Sequence, residues 1–377
     1  MRVAFLHPEL GFGGAERLVT DAAAYLASHG HRVALFTSRF DPARTLPAAA
    51  ALDVRVHGRH IPVHVAQRLR APSAVARMAA LAFVATREPW DAIVTDLVAH
   101  VVPLLRRRSS ARLVYYCHFP DRLLVPARRG LALYRAAIDG LEERGLAAAD
   151  RVLVNSRFTA RRLAEAYPRL GTLVPEVVHP GVGSAPPAGP PEPLLLAVGR
   201  FHPAKNLALA IDTLAALRMK LPDATPLRLV VAGGYDARFV EQRQTLAALR
   251  ERAARVGLAH RVTLSPSPPD SALRGLLSRA LCVLYTPVEE HFGYVPLEAM
   301  AAGRPVVAVD GGGPAETVLD GETGFLRAAS AGPFAEAVAR LVLDPGLATR
   351  MGAAGRAHVA RHFSLDAFGR RFEAALG

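Results

Sequence analysis

The sequence predicts an α/β protein built from two doubly wound domains, each with a parallel sheet covered by helices. Three observations lead to this fold class. Short apolar, β-branched runs alternate with longer helical patterns, the alternation stops in a stretch rich in proline and glycine, and it then starts again. Strands that alternate with helices imply a parallel sheet. With 377 residues, 51% of them hydrophobic, the chain is long and apolar enough for two cores.

The first domain is expected over residues 1–180. A glycine loop follows the first apolar run, and the helix predicted next extends from Ala15 to Ser28. The apolar runs predict strands at residues 3–7, 32–37, 92–96, 112–118 and 151–156.

A linker is predicted from Val174 to Pro193, where the sequence reads VPEVVHPGVGSAPPAGPPEP. The second domain is expected over residues 181–362. Its strands are predicted at residues 194–200, 227–234, 282–287 and 304–310. Ligands of doubly wound sheets bind beyond the carboxyl ends of the strands, so we expect the chemistry in the loops that follow them.

The chain is basic, with 46 Lys and Arg against 33 Asp and Glu and a net charge of +13, most of it in residues 1–185. Such a charge favours phosphate-bearing partners or an anionic membrane surface. The sequence has no zinc-finger or helix-turn-helix spacing, so we expect no nucleic-acid partner. The segment from Arg68 to Arg87 fits either an interfacial amphipathic helix or an ordinary helix that covers the sheet.

Cysteine usage and hydropathy favour a cytoplasmic protein, either soluble or peripheral on the inner face of the cell membrane. Cys117 and Cys282 lie in apolar runs without partners at metal-ligand spacing, so neither a disulfide nor a metal site is expected. The N-terminus is typical of a first strand rather than of a signal peptide. No run approaches the roughly 18 apolar residues of a membrane-spanning helix.

The first loop with a chemical signal runs from Pro8 to Arg17 and contains Gly13 and Gly14. Glycine lets the backbone approach a ligand closely, and the start of the following helix offers unpaired N–H groups. The loop fits either the binding of an anion or sugar hydroxyl, or a plain tight turn.

The second loop, GRFHPAKN, carries Arg200 and Lys205 after the first strand of the second domain. Lys205 is unusual because the only other lysine in the chain is Lys220. Arginine can hold two phosphate oxygens while lysine acts as a point charge, so the pair suits a diphosphate. The alternative is two solvated loop cations.

The third loop carries Glu290, eight residues before Glu298. Pro296 suits the first turn of a helix, which would place Glu298 in that turn. There it could accept two vicinal hydroxyls, or simply be a carboxylate favoured by the helix dipole. The residues from His291 to Val295 would present backbone N–H groups to an anion.

His118 ends a predicted strand and precedes Phe119-Pro120. This position favours a side chain that points from the strand end towards a ligand. The alternative is a hydrogen-bonded structural histidine.

In this order, the motifs resemble glycosyltransferase family 4, the retaining nucleotide-sugar enzymes with two facing Rossmann-like domains and an inter-domain cleft, the glycosyltransferase B-type fold. The most specific element is E-x7-E, followed by EAMAAGRPVVAVDGGGPAE and TGFL, with GRFHPAKN and HPGV as companions. The resemblance covers nearly the whole chain. Within the family, GGAERLVTDAA, YYCHFPDRLL, VNSRFTA and EHFGYVPLEAM resemble the α-1,3/1,6-mannosyltransferases of lipid-linked oligosaccharide synthesis.

The resemblance implies transfer of mannose from GDP-mannose to a polyprenyl-diphosphate-linked or other glycan, with no metal or cofactor. It also implies that the C-terminal helix, residues 363–377, packs back on the first domain. Arg200 and Lys205 would neutralise the leaving diphosphate, and Glu290 and His118 would face the transferred sugar. Gly13 and Gly14 would approach the acceptor or a phosphate. The remaining donor contacts would be Gly293, Tyr294, Val295, Leu297 and, on the ribose, Glu298.

Three alternatives stay open from the sequence. The first is a transferase that uses a UDP- or ADP-sugar, as glycogen-synthase-like polymerases do. The second is a nucleotide-sugar epimerase on the same fold. A non-catalytic nucleotide-sugar-binding or membrane-docking module is disfavoured, because both phosphate cations and both glutamates are present. The sequence shows no hydrophobic membrane hairpin, so it determines the acceptor less well than the reaction.

Overall fold

The structure is a computed structural model that describes residues 1–63, 70–124, 132–185, 189–222 and 225–377. Residue contacts divide the chain into two compact units, Met1–Gly181 with Leu365–Gly377, and Val182–Ser364. Each unit contains one sheet, and all strand pairs in both sheets are parallel. The predicted fold class of two Rossmann-like domains is confirmed.

The sheet of the first unit has seven strands in the order β3-β2-β1-β4-β5-β6-β7. The strands are β1 (Arg2–His7), β2 (Arg32–Thr37), β3 (Asp53–Val56), β4 (Ala92–Asp96), β5 (Arg112–Cys117), β6 (Arg151–Val154) and β7 (Glu176–Val177). The helices are α1 (Gly14–Ser28), α2 (Arg70–Ala85), α3 (Val102–Arg108), α4 (Asp121–Leu124), α5 (Ala132–Ala148) and α6 (Arg157–Ala166).

The sheet of the second unit has six strands in the order β10-β9-β8-β11-β12-β13. The strands are β8 (Leu194–Val198), β9 (Arg228–Gly233), β10 (Val262–Pro266), β11 (Cys282–Tyr285), β12 (Val306–Val309) and β13 (Gly324–Arg327). The helices are α7 (Ala208–Leu217), α8 (Val240–Arg255), α9 (Asp270–Arg279), α10 (Tyr294–Ala301), α11 (Pro314–Thr317), α12 (Ala331–Leu343) and α13 (Pro345–His362).

Alternation of side chains along the strands gives each sheet two apolar faces. In β1, Leu6 belongs to the core cluster on one face and Phe5 to the cluster on the other. In β8, Leu195 and Leu196 are divided in the same way. Successive residues of a strand point to opposite faces, so nearly continuous apolar runs are expected where helices cover both.

Four strands were not predicted from the apolar runs, and all four are edge strands: β3, β7, β10 and β13. Their residues are mostly only half-buried, as in β3 and β10. An edge strand packs against one neighbour and exposes more of its surface, so its sequence lacks the apolar run that identifies a central strand. The predicted linker is wrong in its first part, because β7 lies within it. Residues 186–188 of that stretch lie outside the described residues.

Helix α2 begins at Arg70, so the first two residues of the segment predicted from Arg68 lie outside the described residues. Its Met78, Leu81 and Ala82 are buried in the core of the first unit. This helix therefore covers the sheet. In the part of the chain that the structure describes, no helix combines the length and the apolar character needed to cross a membrane.

The last helix, α14 (Leu365–Leu376), packs on the first unit. The Phe372 ring is fully buried and stacks on Phe5 with a centroid distance of 6.0 Å. His31 Nε2 lies 2.8 Å from Glu373 Oε1. A Cβ on Gly369 would lie 2.1 Å from the Tyr25 ring, so this close approach requires glycine.

We predict that Phe372→Ala destabilises the first unit by about 3–5 kcal/mol, because it removes a fully buried ring from a packed core. The only tryptophan, Trp90, is buried in this unit, so its fluorescence reports unfolding in urea there. The control is Phe239→Ala, at a side chain that is 47% exposed. An unchanged urea midpoint in Phe372→Ala would contradict the packing described.

Candidate active site

The loops that follow β8 and β11 meet at the carboxyl ends of these two central strands of the second sheet. The two strands are neighbours, and the order of strands reverses between them. Lys205 follows β8 in a short 3-10 turn, and Glu290 follows β11. Lys205 Nζ lies 2.5 Å from Glu290 Oε2. The structure thus brings these two predicted site residues into direct contact at a topological switch point, where doubly wound sheets bind ligands.

The Glu290 carboxylate is held by a second donor that the sequence did not reveal. The Tyr285 hydroxyl donates to the same oxygen, Oε2, at 2.7 Å. Burial alone would raise the pKa of Glu290, but the charge and hydrogen bond of Lys205 hold the pKa below its usual range. Glu290 is therefore an ionised, mostly buried carboxylate, whose other oxygen, Oε1, takes part in neither contact.

Two further hydrogen bonds tie the backbones of these loops together. Thr286 Oγ1 donates to the Lys205 carbonyl at 2.7 Å, and Asn206 Nδ2 donates to the Thr286 carbonyl at 3.3 Å. Asn206 has a left-handed backbone with φ of 47°, a conformation that asparagine tolerates better than most residues. These contacts place the Lys205 side chain beside Glu290.

Arg200 lies in the same loop, and its side chain is exposed. In the described parts of the chain its guanidinium forms no ion pair. Gly233 lies behind the loop with φ of 149°, and a Cβ there would be 2.1 Å from the Gly199 carbonyl oxygen. The loop can therefore lie this close to the end of β9 only because glycine stands at that position.

The start of α10 differs from the prediction for Glu298. The helix begins at Tyr294, after Gly293 with φ of 90°, so Glu298 lies in the second turn and not in the first. Its predicted place beside the dipole end of the helix is wrong, because the glycine turn lets the helix begin two residues before Pro296. Tyr294 and Val295 lie in the first turn of α10.

Leu297, predicted to contact the donor, is fully buried in a core cluster of the second unit. Its side chain is part of the packing of α10. Any contact of Leu297 with a ligand would therefore have to come from its backbone.

The glycine run after β12 was not predicted as part of the site. Gly313 N donates to the Glu290 carbonyl at 2.8 Å. A Cβ on Gly312 would lie 2.2 Å from that carbonyl oxygen, and one on Gly313 would lie 2.3 Å from the Phe292 backbone. The sequence signal for this contact is three successive glycines after an apolar run. Their lack of a side chain lets the backbone of the Glu290 loop pack closely against them.

A second polar cluster lies in the first unit, at the carboxyl ends of β1, β4 and β5, which are adjacent. His118 Nε2 lies 2.8 Å from Asp96 Oδ2. His7 Nδ1 lies 2.8 Å from the other oxygen, Oδ1. His7 and Asp96 are fully buried, whereas the His118 side chain is 17% exposed. His118 was predicted from the sequence, and the other two members of the cluster, His7 and Asp96, were not.

The charges of this cluster support one another. Burial alone would raise the pKa of Asp96, but His7 and His118 hold it below its usual value. Burial also works against protonation of His7, yet the charges of Asp96 and, more weakly, Glu16 keep the pKa of His7 above its usual value.

The predicted glycine loop precedes α1, with Gly13 as its N-cap, and Gly13 and Gly14 are both exposed. A Cβ on Gly13 would lie 2.0 Å from Glu16 Oε2, so the glutamate side chain folds back over this glycine. The loop therefore has a carboxylate of its own at the helix N-terminus. Within the described ranges, no group of three histidine, cysteine, aspartate or glutamate side chains forms a metal site.

Comparison with known proteins places both units among sugar-transferring enzymes. Residues 12–184 match the family model described as Glycosyltransferase Family 4, and residues 185–358 match Glycosyl transferases group 1. The chain is 39% identical to the alpha-1,3/1,6-mannosyltransferase ALG2 of Homo sapiens, over 97% of this chain and 93% of that protein.

Two solved structures share the fold. Sucrose-phosphate synthase of Thermosynechococcus elongatus has a TM-score of 0.77 at 23% identity, covering 99% of this chain and 97% of that chain. Anabaena Alr3699/HepE, solved in complex with UDP-glucose, has a TM-score of 0.73 at 21% identity, covering 100% and 99% of the two chains.

The shifted pKa values predict how the stability of the first unit depends on pH. The raised pKa of His7 contributes stability that is complete below its unfolded value of 6.5 and is lost as pH rises through the folded value. The lowered pKa of Asp96 contributes stability that is complete above 3.8 and is lost as pH falls through the folded value. Between about pH 6 and about pH 9 the Asp96 contribution is constant and the His7 contribution falls, but the pKa values of Asp21, raised to about 6, and of His100, lowered, also alter the stability of this unit near the lower limit.

We therefore predict that the urea midpoint reported by Trp90, expressed as the difference between the native chain and His7→Asn, falls from about pH 6 to about pH 9. His60→Asn, at an exposed histidine, is the matched control and should leave the dependence unchanged. The same fall in His7→Asn as in the native chain would show that His7 does not carry the effect.

Proposed function

We propose a specific reaction for this chain, which belongs to the glycosyltransferase family matched as family 4 in its first half and as group 1 in its second. The enzyme transfers mannose from GDP-mannose to a lipid-linked glycan and forms an α-linkage. The observation that carries this proposal is the Lys205–Glu290 pair at the switch point of the second sheet. The name of the human relative, an alpha-1,3/1,6-mannosyltransferase, supports mannose as the sugar.

Lys205 and Arg200 supply positive charge for the donor diphosphate. When the bond between the anomeric carbon and the diphosphate oxygen breaks, negative charge develops on that oxygen. An acceptor hydroxyl oxygen bonds to the carbon in its place, and the hydroxyl proton passes to the departing diphosphate. Cations already fixed near this oxygen stabilise the transition state without further reorganisation. Lys205 is positioned by the backbone hydrogen bonds of its loop, whereas Arg200 is exposed and adapts to the second phosphate.

Glu290 receives the sugar in this proposal. Its carboxylate is ionised, and Tyr285 retains it when Lys205 moves to the diphosphate. Hydroxyl groups of a hexose are suitable donors for the oxygen that Lys205 vacates and for Oε1. We assign Glu298 to the ribose, the first turn of α10 to backbone contacts with the donor, and Gly13 and Gly14 to the acceptor.

A lipid-linked acceptor would bring the reaction to a membrane surface. We propose that this surface is on the cytoplasmic side. The net charge of +13 favours an anionic surface. Helix α2 packs into the core, so this part of the proposal depends on charge and not on an interfacial helix.

A transfer assay with purified protein tests the proposal. Mannose-labelled GDP-mannose and glucose-labelled UDP-glucose are supplied with and without a prenyl-diphosphate-linked glycan in anionic or neutral vesicles. We expect labelled mannose in the lipid fraction only with the acceptor, and faster transfer in anionic vesicles. Transfer of glucose but not mannose would contradict GDP-mannose as the donor. Release of an epimerised nucleotide sugar would contradict glycosyl transfer as the reaction. Equal rates in both kinds of vesicle would refute the preference for an anionic membrane surface.

A further inference from the structure

Two histidines of the first unit, His7 and His118, share one buried carboxylate. Asp96 uses Oδ1 for His7 Nδ1 and Oδ2 for His118 Nε2, each at 2.8 Å. With both oxygens engaged, the plane of the carboxylate is fixed. His7 and Asp96 are fully buried, and only the His118 side chain reaches the surface.

The His118 ring is restrained on two further sides. Asn155 Nδ2 donates to the His118 carbonyl at 2.9 Å, which holds the backbone after β5. The ring of Tyr116 lies beside the imidazole at a centroid distance of 5.0 Å. Backbone, ring plane and one ring nitrogen are all determined by the protein, so the remaining nitrogen, Nδ1, has a set direction.

We propose that Asp96 is a positioning residue that holds His118 in the Nε2–H tautomer, so that the Nδ1 lone pair accepts a hydrogen bond from a hydroxyl of the transferred hexose. The assignment rests on the proposed function for the identity of the ligand, but the tautomer itself does not depend on it. An ionised carboxylate can only accept, so its partner nitrogen must carry the proton. The hydrogen bond of one ring nitrogen sets the tautomer of the other.

The hydrogen bonding of His7 determines how an amide at position 96 would be oriented. His7 Nε2 is buried and makes no hydrogen bond of normal geometry in the described residues, although the Glu9 backbone contributes to the raised pKa of His7. If His7 gave up its Nδ1 proton, that buried Nε2 would carry an N–H without an acceptor in normal geometry, and buried unpaired N–H groups are rare. In Asp96→Asn the amide oxygen should therefore face His7, and the NH2 group should face His118. His118 would then need its proton on Nδ1.

The native tautomer can be read directly by NMR of the full chain labelled with 15N-histidine, with the His118 signals assigned from His118→Gln. We expect Nε2–H for His118 in the native protein and Nδ1–H in Asp96→Asn. Nδ1–H in the native protein would overturn the proposal, whether or not any variant folds.

Kinetics with GDP-mannose supply the functional half of the test. We expect Asp96→Asn to lower kcat about 100-fold with little change in KM for the donor, as misplacement of a positioned group does. The matched control is Asp150→Asn. This carboxylate accepts from Leu113 N and lies at the amino ends of the strands, away from Asp96 at the carboxyl end of β4. The control variant should keep the native kcat.

The outcomes separate the two claims. An unchanged kcat in a folded Asp96→Asn with Nδ1–H on His118 would overturn the proposed role of the tautomer. A native protein that shows Nε2–H on His118 but transfers no sugar from any nucleotide donor would refute the proposed function and leave the positioning by Asp96 intact.

Discussion

One carboxylate oxygen, Glu290 Oε2, accepts from both Lys205 and Tyr285, and the second unit's site depends on this shared contact. A mostly buried carboxylate is costly unless it is paired, so Lys205 must remain beside it while no ligand is present. In the proposed reaction, a nucleotide sugar brings a replacement for each partner at once, because its diphosphate suits the ammonium and its hydroxyls suit the carboxylate. The proposal thus makes release of Lys205 and binding of the sugar parts of one event.

The two units build their polar clusters by the same rule. In each, a carboxylate lies at the switch point of the sheet between one partner that is buried and one that is more exposed. His7 and Tyr285 are the buried partners, while His118 and Lys205 are 17% and 20% exposed. The more exposed partner is the one assigned to the ligand, and the buried one keeps the carboxylate in place. Glycines admit the backbone around Glu290, as at Gly312.

The central strands and the contact between Lys205 and Glu290 follow from local patterns in the sequence: an apolar run, a lone lysine, and a glutamate before a glycine turn. The supporting residues left none. Tyr285 ends an apolar strand and resembles a core residue, and no local pattern shows that Asp96, at the end of another strand, contacts His7 and His118 at the ends of neighbouring strands. The predicted position of Glu298 is wrong because a proline fits the first turn of a helix without fixing where the helix starts, and the positive φ of Gly293 sets the start of α10. The edge strands were missed because their burial is partial.

The exchange of Lys205 from Glu290 to the diphosphate is tested most directly by comparing the chain's two lysines. Lys220 pairs with Glu336 on the surface, so Lys205→Ala and Lys220→Ala remove the same ammonium from the same kind of partner. Measured with GDP-mannose and the lipid-linked acceptor, kcat should fall about 100- to 1,000-fold in Lys205→Ala and stay native in Lys220→Ala. Equal kcat in the two variants, with both proteins folded, would contradict the account.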